Sequence, residues 1–181
     1  PKTVFGGTIS ANPTSVTTTI IAINVIVFVA MMATGGTRGP IYQEGAMWSY
    51  GVMQGEYWRM LSSAFLHSGI MHIAFNMLAL YLFGPAIEEA LGRTQYLATY
   101  LTLAVAGSVW VYWLSSPSAS TVGASGVVFG LLGLILVFMI NSKQDVTGLL
   151  VLLGINAVIS LHANISWQAH LGGFVTGVLL A

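Results

Sequence analysis

Within Thr121-Val122-Gly123-Ala124-Ser125-Gly126 a serine stands among glycines, at the mouth of an apolar run that continues to Ile140. A hydroxyl becomes a nucleophile when a base lies within hydrogen-bond reach. The chain offers four histidines as bases, His67, His72, His162 and His170. His170 sits in Ala169-His170-Leu171-Gly172-Gly173, early in another apolar run. His72 and Asn76 are four residues apart, which places them on one face of a helix. Other chemistries are removed by what is missing. No His-Glu-x-x-His string is present for a zinc protease. The single aspartate, Asp145, excludes a paired-aspartate mechanism and is too remote to complete a serine triad. With no cysteine there is no thiol nucleophile, thiolate metal site or disulfide. A serine hydrolase built on this chain therefore has to be a Ser–His dyad.

Each residue has a plainer reading beside that one. Serine is a favoured helix N-cap, and an isolated Ser125 reads as one. Glycine on both sides shifts the balance, because it lets backbone or substrate approach closely. A histidine in an apolar helix is satisfied by a backbone carbonyl, ligates haem or a metal, or does chemistry. Ionisable residues inside a membrane are functional candidates by default. Asn24 and Asn156 lack such company and read as structural, as do His67 at a span boundary and His162 in a loop.

The elements that must position these groups follow from composition. Of 181 residues, 56% are hydrophobic and 6% charged, with a mean hydropathy of +0.84. Soluble domains carry about 25% charged residues, so this surface is not made for water. Net charge is zero, and no nucleic-acid partner is expected. Apolar runs predict an all-α membrane protein of six transmembrane helices, near 16–33, 69–84, 95–114, 126–140, 146–161 and 167–181. The first run reads as a retained helix and not a signal peptide. Residues 1–181 read as a single domain without repeats. Residues 34–66 form a first loop too long to be structureless. Its Trp48, Tyr50, Tyr57 and Trp58 suit the interfacial region.

Six spans put Lys2, Arg93 and Lys143 on one side and Arg38 and Arg59 on the other, which favours a cytoplasmic N-terminus. Spans two, four and six then begin on the opposite side. His72, Asn76, Ser125 and His170 converge at similar depth. Span four is only roughly 22 Å long against a ~30 Å hydrocarbon core, so Ser125 is expected below the surface, at the floor of a water-filled pocket. The helix N-terminus there favours a developing negative charge. Gly126, Gly130 and Gly133 give span four a smooth face, and Gly173 and Gly177 do the same for span six. Small faces of this kind allow tight packing that brings Ser125 and His170 together.

These residues resemble a known family. Gly123-Ala124-Ser125-Gly126, Ala169-His170-Leu171-Gly172-Gly173 and the His67…His72…Asn76 spacing are similar to the rhomboid intramembrane serine proteases, most closely those of the bacterial GlpG type. The likeness covers nearly the whole chain, including Trp58-Arg59 in the first loop and Glu88 in Gly84-Pro85-Ala86-Ile87-Glu88. It implies Ser125 as nucleophile and His170 as general base, then acid. It also implies an oxyanion held by the Ser125 N–H with the side chains of Asn76 and His72. The first loop, with His67, Trp58 and Arg59, would act as a brace, and the loop from His162 to Ser166 as a cap. Changes at Glu88 and Arg59 are expected to act through stability. Bacterial relatives often have tyrosine four residues after the nucleophile. Here it is Phe129, whose ring can still stack on His170 without a hydroxyl.

The resemblance further implies transmembrane protein substrates, action within the lipid bilayer, and no cofactor or metal. It places the protein in a bacterial inner membrane with the site opening to the periplasmic side. Three rivals remain: an inactive relative that binds transmembrane helices, a small channel or transporter, and a haem-binding bundle using His72 and His170. The first would lack the serine or the histidine, and the second would show an inverted repeat; neither feature is seen.

Overall fold

The computed structural model describes residues 1–162 and 165–181, with the backbone alone at His162. Most of it is helical. In chain order the elements are α1 (Ser15–Ala33), α2 (Pro40–Gly45), β1 (Met47–Trp48), α3 (Ser49–Met53), α4 (Arg59–Ser62), α5 (Ile70–Leu91), α6 (Arg93–Leu114), β2 (Ser120–Thr121), α7 (Ser125–Asn141), α8 (Thr147–His162) and α9 (Trp167–Leu180). Three of these, α1, α5 and α6, are long and apolar enough to cross a membrane. The helices α7 and α8 are shorter apolar helices, and α9 spans 14 residues.

The bundle is built around α7. Every residue from Gly126 to Leu134 is buried, so the first half of this helix presents no face to the outside, and only its last turns, from Ile135 to Asn141, emerge. Around it pack α5, α6 and α9, with α1 against α5 and α8 against α9. The outer faces are apolar: Ile26, Val29, Phe75, Leu82 and Trp113 are all largely exposed. Water does not cover such a surface, whereas lipid does.

Two boundaries differ from those read off the sequence. Helix α5 does not stop at Gly84 but runs through Pro85 to Leu91. Proline removes one intrahelical donor, yet an apolar bundle favours continuing the helix over exposing several unpaired backbone groups. The extension also carries Glu88 to the start of α1. There its Oε1 accepts from Val16 N at 2.9 Å, and its Oε2 accepts from Thr17 N and Thr17 Oγ1, both at 2.8 Å. An acidic group at a helix N-terminus satisfies free N–H groups and complements the dipole. Glu88 is thus an interhelical cap, where the sequence placed it beyond the span. His162, expected in a loop, is instead the last residue of α8. Residues 163 and 164 of the predicted capping loop lie outside the described residues.

Glu88→Ala leaves the Val16 and Thr17 N–H donors without an acceptor, at about 1–3 kcal/mol each, and turns the Thr17 hydroxyl to its remaining neighbour, Tyr96 Oη at 3.3 Å. The expected loss is about 3 kcal/mol or more, a fall of roughly 6–12 °C in the thermal midpoint in detergent. A midpoint within 2 °C of the parent's would remove this role.

The first loop is folded. Its hub is Arg59, 5% exposed, whose Nη1 donates to the carbonyls of Gln43 and Ala46 at 2.8 and 3.0 Å while Nε pairs with Glu56. Trp58 Nε1 donates to Glu44 O at 3.0 Å, and Trp48 lies under the Arg59 guanidinium. Met47 and Trp48 pair antiparallel with Thr121 and Ser120, which ties the first loop to the chain just ahead of α7.

Candidate functional site

Ser125 is the first residue of α7, so its N–H points out of the helix end with no intrahelical carbonyl to meet. The N-cap is Ala124 and makes no side-chain cap bond, so the Ser125 hydroxyl is not used as a helix cap. The chain ahead of it is held from three directions. The β1–β2 pairing fixes Ser120 and Thr121, Gly123 N donates to Ser63 O at 2.9 Å, and Ala124 N donates to His67 Nε2 at 3.3 Å. Gly123 adopts a φ of +125°, where a side chain is strained. A Cβ there would also lie 2.6 Å from His72 Nε2. That glycine both turns the chain into α7 and leaves room for the His72 ring.

His170 arrives from α9, one turn after the Ser166 N-cap, whose Oγ accepts from Ala169 N. The approach of α9 to α7 depends on glycine. A Cβ on Gly173 would lie 1.9 Å from Gly126 O, and one on Gly177 would lie 1.8 Å from Gly130 O. Gly133 meets Phe174 O in the same way, and Gly126 faces Ala169 O. No larger residue permits this separation, and at this separation His170 Nε2 stands 2.8 Å from Ser125 Oγ. The Phe129 ring, one turn along α7, stacks on the imidazole with centroids 4.2 Å apart and planes 12° from parallel. The ring fixes the imidazole plane without any hydroxyl at that position.

The other ring nitrogen is also occupied. His170 Nδ1 lies 2.6 Å from Ser160 Oγ on α8, and Ser160 Oγ donates to Asn156 O at 2.7 Å. Ser160 is 4% exposed. Nothing in the sequence marked it, because a serine four residues after Asn156 reads as ordinary helix back-bonding.

His72 and Asn76 lie on α5. His72 Nδ1 receives the Ser68 N–H at 3.4 Å and the Ser68 hydroxyl lies at 3.2 Å, so the ring proton resides on Nε2, the nitrogen beside Gly123. Asn76 is buried and donates one amide hydrogen to His72 O at 2.9 Å, and the second meets no acceptor among the described residues. His67 is fully buried with its ring edge-on to His72 at 5.0 Å. Burial pushes its pKa down to about 3, which keeps Nε2 an acceptor for Ala124 at neutral pH. Asn24 and Asn156 each donate to the carbonyl four residues back. No cluster of three or more potential metal ligands occurs among the described residues.

Apolar helices surrounding a hydrogen-bonded serine and imidazole are the arrangement that a membrane serine hydrolase requires. The sequence model of the rhomboid domain matches residues 54–181. The protein YdcA of Bacillus subtilis (strain 168), whose name assigns it provisionally to the rhomboid proteases, is 34% identical over 141 residues, which is 74% of this chain and 70% of YdcA. Rhomboid protease GluP of the same bacterium is 34% identical over 170 residues, 89% of this chain but 33% of GluP. RHOMBOID-like protein 1 of Arabidopsis thaliana is 32% identical over 132 residues, 69% of this chain and 34% of that protein. The chain belongs to the rhomboid family of intramembrane serine proteases.

Proposed function

We propose that this chain is the catalytic domain of an intramembrane endopeptidase that hydrolyses peptide bonds in or near transmembrane segments by a Ser125–His170 dyad. The observation that carries this reading is the 2.8 Å contact between Ser125 Oγ and His170 Nε2, inside an apolar bundle and beside the stacked Phe129 ring. Ser125 Oγ attacks the scissile carbonyl carbon while its proton passes to His170 Nε2. The oxyanion so formed meets three donors, the Ser125 N–H, His72 Nε2–H and the free amide hydrogen of Asn76. His170 then gives its proton to the leaving amine as the C–N bond breaks, and an acyl ester remains on Ser125. Water repeats the sequence: its proton goes to Nε2, its oxygen to the acyl carbon, and Ser125 is released as the ester bond opens.

The helices α1, α5, α6, α7, α8 and α9 act as six spans of a single domain. The N-terminus lies on the cytoplasmic side of a bacterial inner membrane, and the site opens to the periplasmic side. The substrates are transmembrane proteins that leave the lipid bilayer sideways to reach Ser125, and no cofactor takes part. The first loop braces the segment that presents the nucleophile, through Ser63, His67 and the β1–β2 pairing.

The test is labelling of the detergent-purified protein with a fluorophosphonate. The parent is expected to be labelled once, at Ser125, and Ser125→Ala not at all. A folded parent that stays unlabelled would sink the reading.

A further inference from the structure

Among the described residues, the buried Ser160 hydroxyl is the polar group that reaches the far side of the base, and the proposed mechanism has not used it. Its single proton can satisfy only one of two neighbours, Asn156 O at 2.7 Å or His170 Nδ1 at 2.6 Å. Were it given to Nδ1, two acceptor oxygens would face each other at 2.7 Å with no hydrogen between them. Were it given to Asn156 O, the Ser160 lone pairs would be free, and the imidazole would donate its Nδ1 hydrogen to them. Only the second arrangement satisfies both short contacts. It has a consequence on the opposite edge of the ring, because an imidazole protonated at Nδ1 has a bare Nε2. That bare nitrogen faces Ser125 Oγ at 2.8 Å.

We propose that Ser160 is a positioning residue for His170: its hydroxyl, anchored on Asn156 O, accepts the Nδ1 hydrogen and so sets the tautomer in which Nε2 can take the Ser125 proton. In a serine triad a carboxylate holds the imidazole this way. Here a neutral hydroxyl on α8 does it, in a chain whose single aspartate, Asp145, lies in the segment between α7 and α8. Phe129 and Ser160 divide the task. The aromatic ring fixes the plane of the imidazole, and the hydroxyl fixes its rotation within that plane and the seat of its proton. When His170 becomes doubly protonated during turnover, Ser160 still accepts from Nδ1, so the contact holds through both proton transfers.

The proposal rests on the dyad reading, and the experiment keeps the two separable. Ser160→Ala, Ser160→Val and Ser160→Thr are compared with the parent, since valine and threonine share a shape and differ in the hydroxyl. Hydrolysis of a reconstituted transmembrane substrate is expected to fall roughly 10–100-fold in kcat with Ala and Val, with little change in KM. Threonine is expected to restore most of it. Independently of activity, ¹⁵N spectra of protein labelled at the histidine ring nitrogens, with His170 assigned by its loss in His170→Ala, read the tautomer directly. The parent and Ser160→Thr are expected to carry the proton on Nδ1, and Ser160→Ala and Ser160→Val to populate the Nε2–H form. Parental kcat in Ser160→Ala, an unchanged tautomer in that variant, or a threonine variant as slow as the valine one would overturn the role of Ser160. A parent that resists the fluorophosphonate would instead remove the dyad reading, while the nitrogen spectra would still decide what Ser160 does to the ring.

Discussion

His170→Ala and Ser125→Ala are each expected to lower the cleavage of a reconstituted transmembrane substrate by about 10⁴–10⁶-fold, and the double variant by no more than either alone. The reason is the geometry of a shared proton. Ser125 Oγ and His170 Nε2 are 2.8 Å apart, and each is inert without the other: a neutral hydroxyl is a poor nucleophile, and a base with nothing to deprotonate does no work. The equality of single and double variants is the decisive feature, because two groups acting independently would give additive losses. Asn76→Ala is the internal comparison. It removes one of the three proposed oxyanion donors and should cost about 10²–10³-fold, leaving measurable turnover. A His170→Ala variant with the rate of Asn76→Ala would mean that another group takes the proton, and the dyad would have to be abandoned.

The second large effect is one of packing. Gly173→Val places a Cβ 1.9 Å from Gly126 O, and because Cβ is fixed by the backbone no rotamer relieves the clash. The two helices must separate by at least about 1 Å to reach the closest approach that real Cβ atoms tolerate. Ser125 precedes Gly126 by one residue and His170 precedes Gly173 by three, so their hydrogen bond cannot survive the separation. The expected result is loss of fluorophosphonate labelling together with about 3 kcal/mol or more of stability, read as a fall in the thermal midpoint. Gly154→Ala is the control. A Cβ at that position meets nothing within 4 Å, and alanine favours helix over glycine, so labelling and stability should hold or rise slightly. If Gly173→Val labelled like the parent, the seam would not be what positions the dyad.

Much of this protein was legible from residue types alone. A chain with 6% charge and repeated apolar runs has no soluble solution, so a helical membrane bundle follows from composition. The serine among glycines and the histidine followed by glycines stood out because polar groups are scarce in such a chain, and scarcity makes position informative. Other features were not legible. Gly84-Pro85 is a stop signal in water, where a helix can end against solvent; in an apolar bundle ending it costs more than the missing donor, so α5 runs on to Leu91. The aromatic first loop gave its depth but not its form, because the Arg59 hub and the β1–β2 pairing join residues far apart in the chain.

Ser160 makes the division clearest. Periodicity places a residue on a helix face, but the rotation of that helix against its neighbours is settled by the packing of all of them together. Types and spacing alone were therefore enough to determine a membrane bundle carrying a serine, a histidine and their glycine seams. Which atom of the imidazole faces Ser125, which hydroxyl holds the other nitrogen, and that a glutamate from α5 caps α1 were decided only in three dimensions, because each depends on distances between helices that the sequence does not encode locally.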